Sequence, residues 1–297
     1  MISYRDMKRD EYFRINYDND YFSKTDRNYT QGYSFELVSK KLTKNPLNYV
    51  FIRPKQNNEY KYGIAVEHIG YTANYIERYN IQYGDRPFAA AIMLKSFVIA
   101  TDTVKKHRIV SSFNIGVIGS LAFGNAMQTG IHKATGNILP HGWHNQISND
   151  VVLNYQIDYE QQLLRYKNIV SLQANSSVRL GTLFSNASAG FNTTFGLINN
   201  PFSSIQHVSK FQLYGYIQPL VTAVGYDATL QGGLINRQSP YTISAQGVKR
   251  FTAQGNVGIV LQTRKLYLEY SRALITREFE TGEVPAGWGG IKIGIKF

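Results

Sequence analysis

The chain has 297 residues, no cysteine and a formal net charge of +12. Without cysteine, disulfides, thiolate catalysis and cysteine-ligated zinc sites are excluded. Lys and Arg are scattered and no zinc-finger or RRM-like signature is present, so the positive charge indicates a membrane surface or another polyanion rather than nucleic acid.

Aromatic residues make up 13% of the chain, and 22 of them are Tyr, whereas charged residues make up only 18%. This composition is typical of a membrane β-barrel with aromatic girdles and a polar lumen. A helical membrane span needs about 20 apolar residues, and the longest candidate, 88–100, is interrupted by Lys95. The first residues lack the charged start and apolar core of a signal peptide, so an exported protein of this sequence is expected to be a mature or shortened form.

The first segment with a chemical pattern is 19–33, which is rich in carboxylate, amide and hydroxyl oxygens. Calcium prefers oxygen ligands, so this segment is a candidate for a hard-cation site, although its spacing excludes an EF-hand. The alternative is a polar hairpin, in which one strand ends at Asn19 and Asp20 and the next starts at Thr30. Composition by itself favours the hairpin.

Apolar and polar residues alternate with period two along most of the chain, for example in 109–117, 211–219 and 266–270. This alternation predicts half-buried β-strands. Turn signals at 44–46, 199–201 and 238–240 separate the strands. No linker, low-complexity tract or internal repeat is present, so we predict one domain over 1–297.

One segment departs from this alternation. Residues 122–135 contain few β-branched side chains and are followed by Gly136, a natural helix stop. The pattern predicts a short helix in an otherwise all-β chain. Gln128 and His132 are four residues apart, so they would project from the same face of that helix.

The last strand ends at the chain terminus. Ile291, Ile293, Ile295 and Phe297 share one face of an extended strand, and Lys292 lies on the other. This arrangement suits a barrel wall between lipid and a wet lumen, and a terminal aromatic residue is similar to the ending of bacterial outer-membrane barrels. An edge strand of a soluble sandwich is the alternative that this segment leaves open. With the alternation elsewhere, the sequence predicts one closed antiparallel barrel with an even number of strands and with its terminal strands paired.

Five blocks of motif residues occur in order over nearly the whole chain. They are Asn19-Asp20-x-Phe22 with Thr25-Asp26-Arg27-x-Tyr29-Thr30-x-Gly32; Gly84-Asp85-Arg86-Pro87-Phe88-Ala89; Gly116-Val117-Ile118-Gly119; Gln128-x-x-x-His132-x-x-x-Gly136 with Gly142-Trp143-His144-Asn145-Gln146; and Thr276-Arg277-Glu278-Phe279-Glu280. With these five blocks the sequence resembles the LpxR family of outer-membrane lipid A 3'-O-deacylases.

The resemblance implies a twelve-stranded transmembrane barrel in the bacterial outer membrane, with a site at its extracellular end. It implies a carboxylic ester hydrolase that removes the 3'-linked acyloxyacyl chain of lipid A with the help of calcium. The partner would be lipopolysaccharide of the outer leaflet, whose phosphates fit the positive charge of the chain.

The resemblance also implies roles for particular residues. His132 matches the general base, and an imidazole suits that work because it exchanges a proton near neutral pH. Asp20 and Thr30 match positions around the calcium and the ester carbonyl, and both are expected to hold the metal. Asn19 and Gln128 match polar positions that line the same site. The metal would polarise the carbonyl and stabilise the oxyanion.

One departure from the family pattern concerns the metal. Ile138 stands where the family has a carboxylate, about six residues after the catalytic histidine. Either Asp18 or a backbone carbonyl is expected to supply the missing ligand, or the affinity for calcium is expected to be weak. A zinc cluster of His132, His141 and His144 is a weaker hypothesis, since loop histidines beside a proline are usually surface residues.

The main alternative in function is a catalytically silent barrel of the same fold, such as a porin, a structural protein or a lipopolysaccharide-binding protein. The joint presence of His132, Asn19, Asp20 and Thr30 favours the enzyme, because a silent barrel has no need for all four. A serine-dependent phospholipase is not indicated, since no serine lies in a Gly-x-Ser-x-Gly elbow.

Overall fold

The computed structural model describes residues 2–7, 9–20, 28–54, 58–203, 211–282 and 286–297. Strands make up most of them: β1 Tyr12–Asn19, β2 Asn28–Val38, β3 Asn58–Thr72, β4 Ala89–Asp102, β5 His107–Ile118, β6 Asp150–Tyr166, β7 Val170–Gly181, β8 Phe184–Leu197, β9 Gln212–Asp227, β10 Phe251–Gln262, β11 Leu266–Ile275 and β12 Ala286–Lys296. The helices are α1 Gly124–Thr135 and α2 Ala228–Gln231, and 3-10 turns span Ser3–Arg5, Lys40–Lys44, Pro46–Val50, Ser120–Ala122 and Gly142–Asn145.

The strands close into a single antiparallel barrel in which each strand pairs with its neighbours in sequence. β1 and β12 complete the circle, with Tyr12 opposite Lys296 and Asn19 opposite Gly289. This confirms the predicted twelve-stranded all-β barrel and the pairing of its terminal strands. Among the described helices, none is long and apolar enough to cross a membrane.

The two faces of β12 have the environments that the alternation predicts. Ile295 is 55% exposed on the outer surface, whereas Lys296 is 7% exposed and its ammonium donates to Gln262 Oε1 inside the barrel (2.7 Å). Ile291 and Ile293 are exposed on the same side as Ile295. An apolar outer band and a polar interior are the features that allow a barrel to sit in lipid.

The lumen is filled near one end by the N-terminal residues. Tyr4 and Met7 are fully buried there and join a cluster of inward-facing aromatic and aliphatic side chains. The Asp6 carboxylate accepts from Lys61 and from Arg108 (2.6 Å each). These three buried charges are therefore paired with one another, and this end of the barrel contains a packed core rather than an open channel.

The two ends of the barrel differ in the length of their connections. The end that holds the chain termini has short turns at 103–106, 167–169 and 263–265 and longer connections at 39–57 and 198–211, whereas the opposite end has a short turn at 182–183 and longer segments at 73–88, 119–149, 228–250 and 276–285. The two longest connections, 119–149 and 228–250, both lie at the opposite end. In outer-membrane barrels the longer loops are extracellular. Helix α1 lies in 119–149 and is therefore at the extracellular rim, as predicted.

The helix α1 lies within the predicted segment 122–135 and begins at its third residue. Ala122 ends the preceding 3-10 turn, and Phe123 adopts the left-handed conformation with φ of 62°. A residue with positive φ cannot continue a right-handed helix, so α1 starts at Gly124. The predicted end is correct, because Gly136 takes the left-handed conformation that terminates helices.

Candidate active site

The outer face of the barrel wall can be followed from strand to strand by register. Ile15 of β1 lies opposite Phe35 of β2, which lies opposite Val66 of β3, and all three side chains are exposed. Residues two positions away share the same face of a strand. Moving toward the extracellular end, the next outer row is therefore Tyr17, Tyr33, His68 and Ile92, and the row above it is Asn19, Gln31, Gly70 and Ala90.

Polar side chains in these two rows are buried although they point out of the barrel. Gln31 is 2% exposed and His68 is 1% exposed. The ring of His68 stacks on Tyr33, with ring centres 4.9 Å apart, and His68 Nε2 lies 2.8 Å from the carbonyl oxygen of Ala122. A carbonyl only accepts, so Nε2 carries the proton and donates. The chain that leads into α1 therefore covers the outer wall at this level.

Helix α1 approaches the wall closely at its first turn. A side chain on Gly124 would lie only 2.5 Å from the Ala90 Cβ and 2.6 Å from the ring of Trp143. Ala90, Ala122 and Trp143 belong to one buried cluster, in which Phe88 meets Trp143 edge to face at 5.3 Å. Small residues on the wall and at the start of the helix thus fix the helix against β4 on the lipid side of the barrel.

Gln128 and His132 are both buried on this helix, as their spacing predicts. The Gln128 side-chain oxygen accepts from Trp143 Nε1 at 2.6 Å, which fixes the amide. His132 Nδ1 lies 2.5 Å from the carbonyl oxygen of Ile138 and must donate to it. In the neutral ring, this contact makes Nε2 the nitrogen with the lone pair that can accept a proton.

The other predicted residues lie where β1 ends and β2 begins. Asn19 is the last residue of β1, and its amide donates to Tyr17 Oη at 3.1 Å along the outer face. Asp20 follows and is buried. Thr30 is also buried; it sits where the β2–β3 register shifts, and its hydroxyl is 2.5 Å from that of Thr72. Residues 21–27 of the same motif lie outside the described residues.

The predicted residues therefore form two groups at the extracellular end. One group, Asn19, Asp20 and Thr30, belongs to the edge of the wall formed by β1 and β2. The other, Gln128 and His132, belongs to α1, which packs on β4 and is tied to β3 through His68. Asn19, His68 and the helix therefore lie on the outer, lipid-facing side of the wall rather than in the lumen.

The donor atoms near Asp20 fit a hard cation in kind, since they are carboxylate, hydroxyl and amide oxygens. Over the part of the chain that the structure describes, no three His, Asp or Glu side chains converge on one point. A calcium ion would therefore need Thr30, amide or carbonyl oxygens in addition to Asp20. The same observation gives no support to a zinc cluster of His132, His141 and His144, and His141 stacks on Tyr79 instead (4.4 Å).

One expected substitute for the missing carboxylate, Asp18, is engaged elsewhere. Asp18 faces the lumen, where Asn16 Nδ2 donates to it at 2.8 Å and the Lys292 ammonium lies 3.5 Å away. It is on the opposite side of the wall from Asn19, so Asp18 was a wrong choice for a ligand at this site. The Ile138 carbonyl oxygen accepts from His132, so this position orients the imidazole through its backbone.

Sequence reasoning missed Gln31 and His68. A signal was available for His68, because it has the parity of the apolar Ile64 and Val66 in the alternating segment that became β3. A polar residue at a lipid-facing position is a candidate for function. For Gln31 the signal was only its place beside Thr30, and the register shift there hides its orientation.

Comparisons with known proteins agree with the fold. The family described as "Outer membrane protein LpxR" matches residues 3–297. LpxR from Salmonella typhimurium has a similar structure, with a TM-score of 0.76 and 17% sequence identity over 96% of this chain and 100% of that one. The β domain of the Bordetella autotransporter BrkA matches with a TM-score of 0.51 and 6% identity over 97% of this chain and 99% of that one. No curated protein sequence matches significantly.

Proposed function

Because this chain belongs to the LpxR family of outer-membrane proteins, we propose that it removes the 3'-linked acyloxyacyl chain of lipid A by ester hydrolysis. The observation that carries the proposal is a buried imidazole on the lipid side of the wall at the extracellular end, whose Nδ1 donates to Ile138 so that Nε2 of the neutral ring is the proton acceptor. The ester bonds of lipid A lie at the boundary between head group and acyl chains in the outer leaflet. A substrate can thus reach this site laterally from the membrane.

The chain's own residues supply the proton transfers. His132 Nε2 takes a proton from water, and the resulting hydroxide attacks the carbonyl carbon of the ester. When the tetrahedral intermediate collapses, the bond to the sugar oxygen breaks, and the proton on Nε2 passes to that oxygen. The products are a free 3'-hydroxyl group and the released acyloxyacyl acid. The bond from Nδ1 to Ile138 keeps Nε2 in the form that this step needs.

We propose calcium as the cofactor, held by Asp20 and Thr30. When bound, it would stabilise the negative charge that develops on the ester oxygen. Asp20 is the single carboxylate among the site residues, and low ligand charge lowers calcium affinity. We therefore expect activity to require calcium at a higher concentration than a site with two or three carboxylates would.

The N-terminal segment inside the lumen argues against a porin. Arg5 of the N-terminal segment forms an ion pair with Glu269 at 2.9 Å, and Ser3 bonds the Glu160 carboxylate through both its amide and its hydroxyl. A porin keeps a water-filled channel, whereas these contacts fix the segment inside the barrel. A silent lipopolysaccharide-binding barrel remains the competing hypothesis, and an activity measurement separates the two.

The test is mass spectrometry of lipid A after incubation with the purified, folded protein in detergent. We expect a product that lacks the 3'-linked acyloxyacyl chain when calcium is present, and no such product with a chelator. Intact lipid A after incubation with folded protein and excess calcium, for every lipid A variant tried, would exclude the hydrolase and leave the binding protein.

A pair of glycine substitutions tests the placement of α1. Alanine at position 124 would put a Cβ within 3 Å of Ala90 and Trp143, whereas at position 130 a Cβ meets nothing within 4 Å. Both changes favour the helix intrinsically, by up to about 1 kcal/mol. Gly124→Ala should move the helix off the wall and lower the deacylation rate by about 10²-fold, because a misplacement near 1 Å has that effect.

Gly130→Ala is the matched control, with an expected wild-type rate and an unchanged or raised melting temperature. Rates are measured by product formation, and folding by the mobility shift of unheated barrels in electrophoresis. Equal activity of the two variants would show that contact between Gly124 and the wall does not position the catalytic group.

A further inference from the structure

Gln31 is a buried amide that the structure leaves partly unsatisfied. It belongs to the outer row of β2, opposite Asn19 on one side and Gly70 on the other. Its side chain is 2% exposed, and its Nε2 atom is fully buried without a hydrogen-bond partner among the described residues. Buried side-chain donors are nearly always paired in folded proteins, so this one requires an explanation.

The amide extends across the wall toward the helix. A Cβ at Gly70 would lie 3.5 Å from Gln31 Cγ and 3.9 Å from Nε2, so the Gln31 side chain covers β3 at this glycine. The next residue of the row is Ala90, on which Gly124 of α1 packs. Gln31 therefore shares an outer row of the wall with Ala90, the residue that contacts the start of the helix carrying Gln128 and His132.

Gln128 on the helix also has a buried side-chain donor without a hydrogen-bond partner among the described residues. Its oxygen is held by Trp143, and its Nε2 atom is buried with no partner in the described parts of the chain. Two primary amides, one from the wall and one from the helix, thus have buried donors without a hydrogen-bond partner among the residues that the structure describes. A buried donor without a partner lowers the stability of the folded protein. Such a loss of stability is common at binding sites in the absence of their ligand.

We propose that Gln31 is a further substrate-contacting residue, whose Nε2 donates to an ester carbonyl oxygen of the lipid. The proposal rests on the proposed deacylase function. An uncharged donor buried on the outer face of the wall matches an uncharged acceptor better than a phosphate, whose burial without a cation would be costly. The acyloxyacyl chain offers two ester carbonyl oxygens and no hydrogen-bond donor, so an amide NH₂ is complementary to it.

Gln31→Met tests this assignment, because methionine keeps the length of the side chain and removes both polar atoms. We expect kcat/KM for 3'-deacylation in mixed micelles to fall between about 5- and 150-fold, the range for an ester carbonyl left buried without its donor. The unfolding midpoint in urea should stay equal or rise, since an unpaired buried amide is removed. Gln31→Glu, which keeps the shape but replaces donors with acceptors, should be at least as impaired as Gln31→Met.

Gln262→Met is the matched control. Gln262 is equally buried, but its amide donates to Tyr214 Oη at 3.0 Å and to the Asp6 carbonyl oxygen at 3.3 Å, and its oxygen accepts from Lys296 at 2.7 Å. It lies at the periplasmic end, away from the candidate site. This variant should lose stability and keep wild-type kcat/KM.

The outcomes are distinct. Gln31→Met with wild-type kcat/KM, or with a loss of stability as large as that of Gln262→Met, overturns the assignment and makes Gln31 a structural residue. Wild-type kcat/KM in Gln31→Glu also overturns it. Failure of the wild-type protein to deacylate lipid A would instead refute the proposed function, so the two failures are distinguishable.

Discussion

Substitution of His132 by alanine is expected to lower the rate of 3'-deacylation by about 10²–10⁴-fold, the usual contribution of a general base. The imidazole is the group on α1 that has a nitrogen lone pair and a fixed orientation, through its bond to Ile138. The barrel should still fold, because a residue on a rim helix contributes nothing to the strand ladder. The measurement is the initial rate of product release, with folding checked by the mobility of unheated protein.

His144→Ala is the control for this substitution. His144 belongs to the same extracellular segment, but its side chain is exposed and its Nδ1 donates to the His141 carbonyl oxygen at 2.7 Å. We expect this variant to retain the wild-type rate. Equal rates in wild-type protein and His132→Ala would leave hydrolysis standing but remove His132 as its base.

Asp20→Asn should abolish most of the activity by a different route. The change keeps the size of the side chain and removes the negative charge that attracts a divalent cation, so calcium should bind more weakly. Raising the calcium concentration should therefore restore part of the rate in Asp20→Asn, whereas it should restore nothing in His132→Ala. The measurement is the rate as a function of calcium concentration for both variants.

Asp18→Asn provides the comparison, because the two carboxylates are separated by one residue but differ in surroundings. Asp18 faces the lumen and lies near Lys292, which also has Glu269 at 3.7 Å. We expect the calcium dependence of Asp18→Asn to equal that of the wild type. If Asp18→Asn needed a higher calcium concentration than the wild type, the cation would lie on the lumenal side of the wall. If Asp20→Asn needed no higher concentration, the cation would lie away from the end of β1.

The sequence by itself determined the kind of fold. Strand alternation is a local property, since neighbouring side chains of a strand point to opposite faces. The apolar Ile293 and the charged Lys292 therefore indicate which face of β12 meets lipid and which meets the lumen, without knowledge of the partner strands. The helix was likewise predictable from 122–135 and Gly136, apart from its start, which the left-handed Phe123 shifts to Gly124. The candidate residues His132, Asn19, Asp20, Thr30 and Gln128 came from motif resemblance, which needs no coordinates.

Only the tertiary structure decided on which side of the wall the site lies. That choice depends on the closed register of β1 to β4 and on what covers the outer rows, and the bond from His68 to Ala122 joins residues 54 positions apart. It also decided that Asp18 belongs to the lumen, that the backbone of Ile138 orients His132, and that Gln31 is buried without a partner for its donor in the described chain. Burial and hydrogen bonding between distant segments depend on how the chain packs, so they cannot be predicted from the residue pattern within one strand.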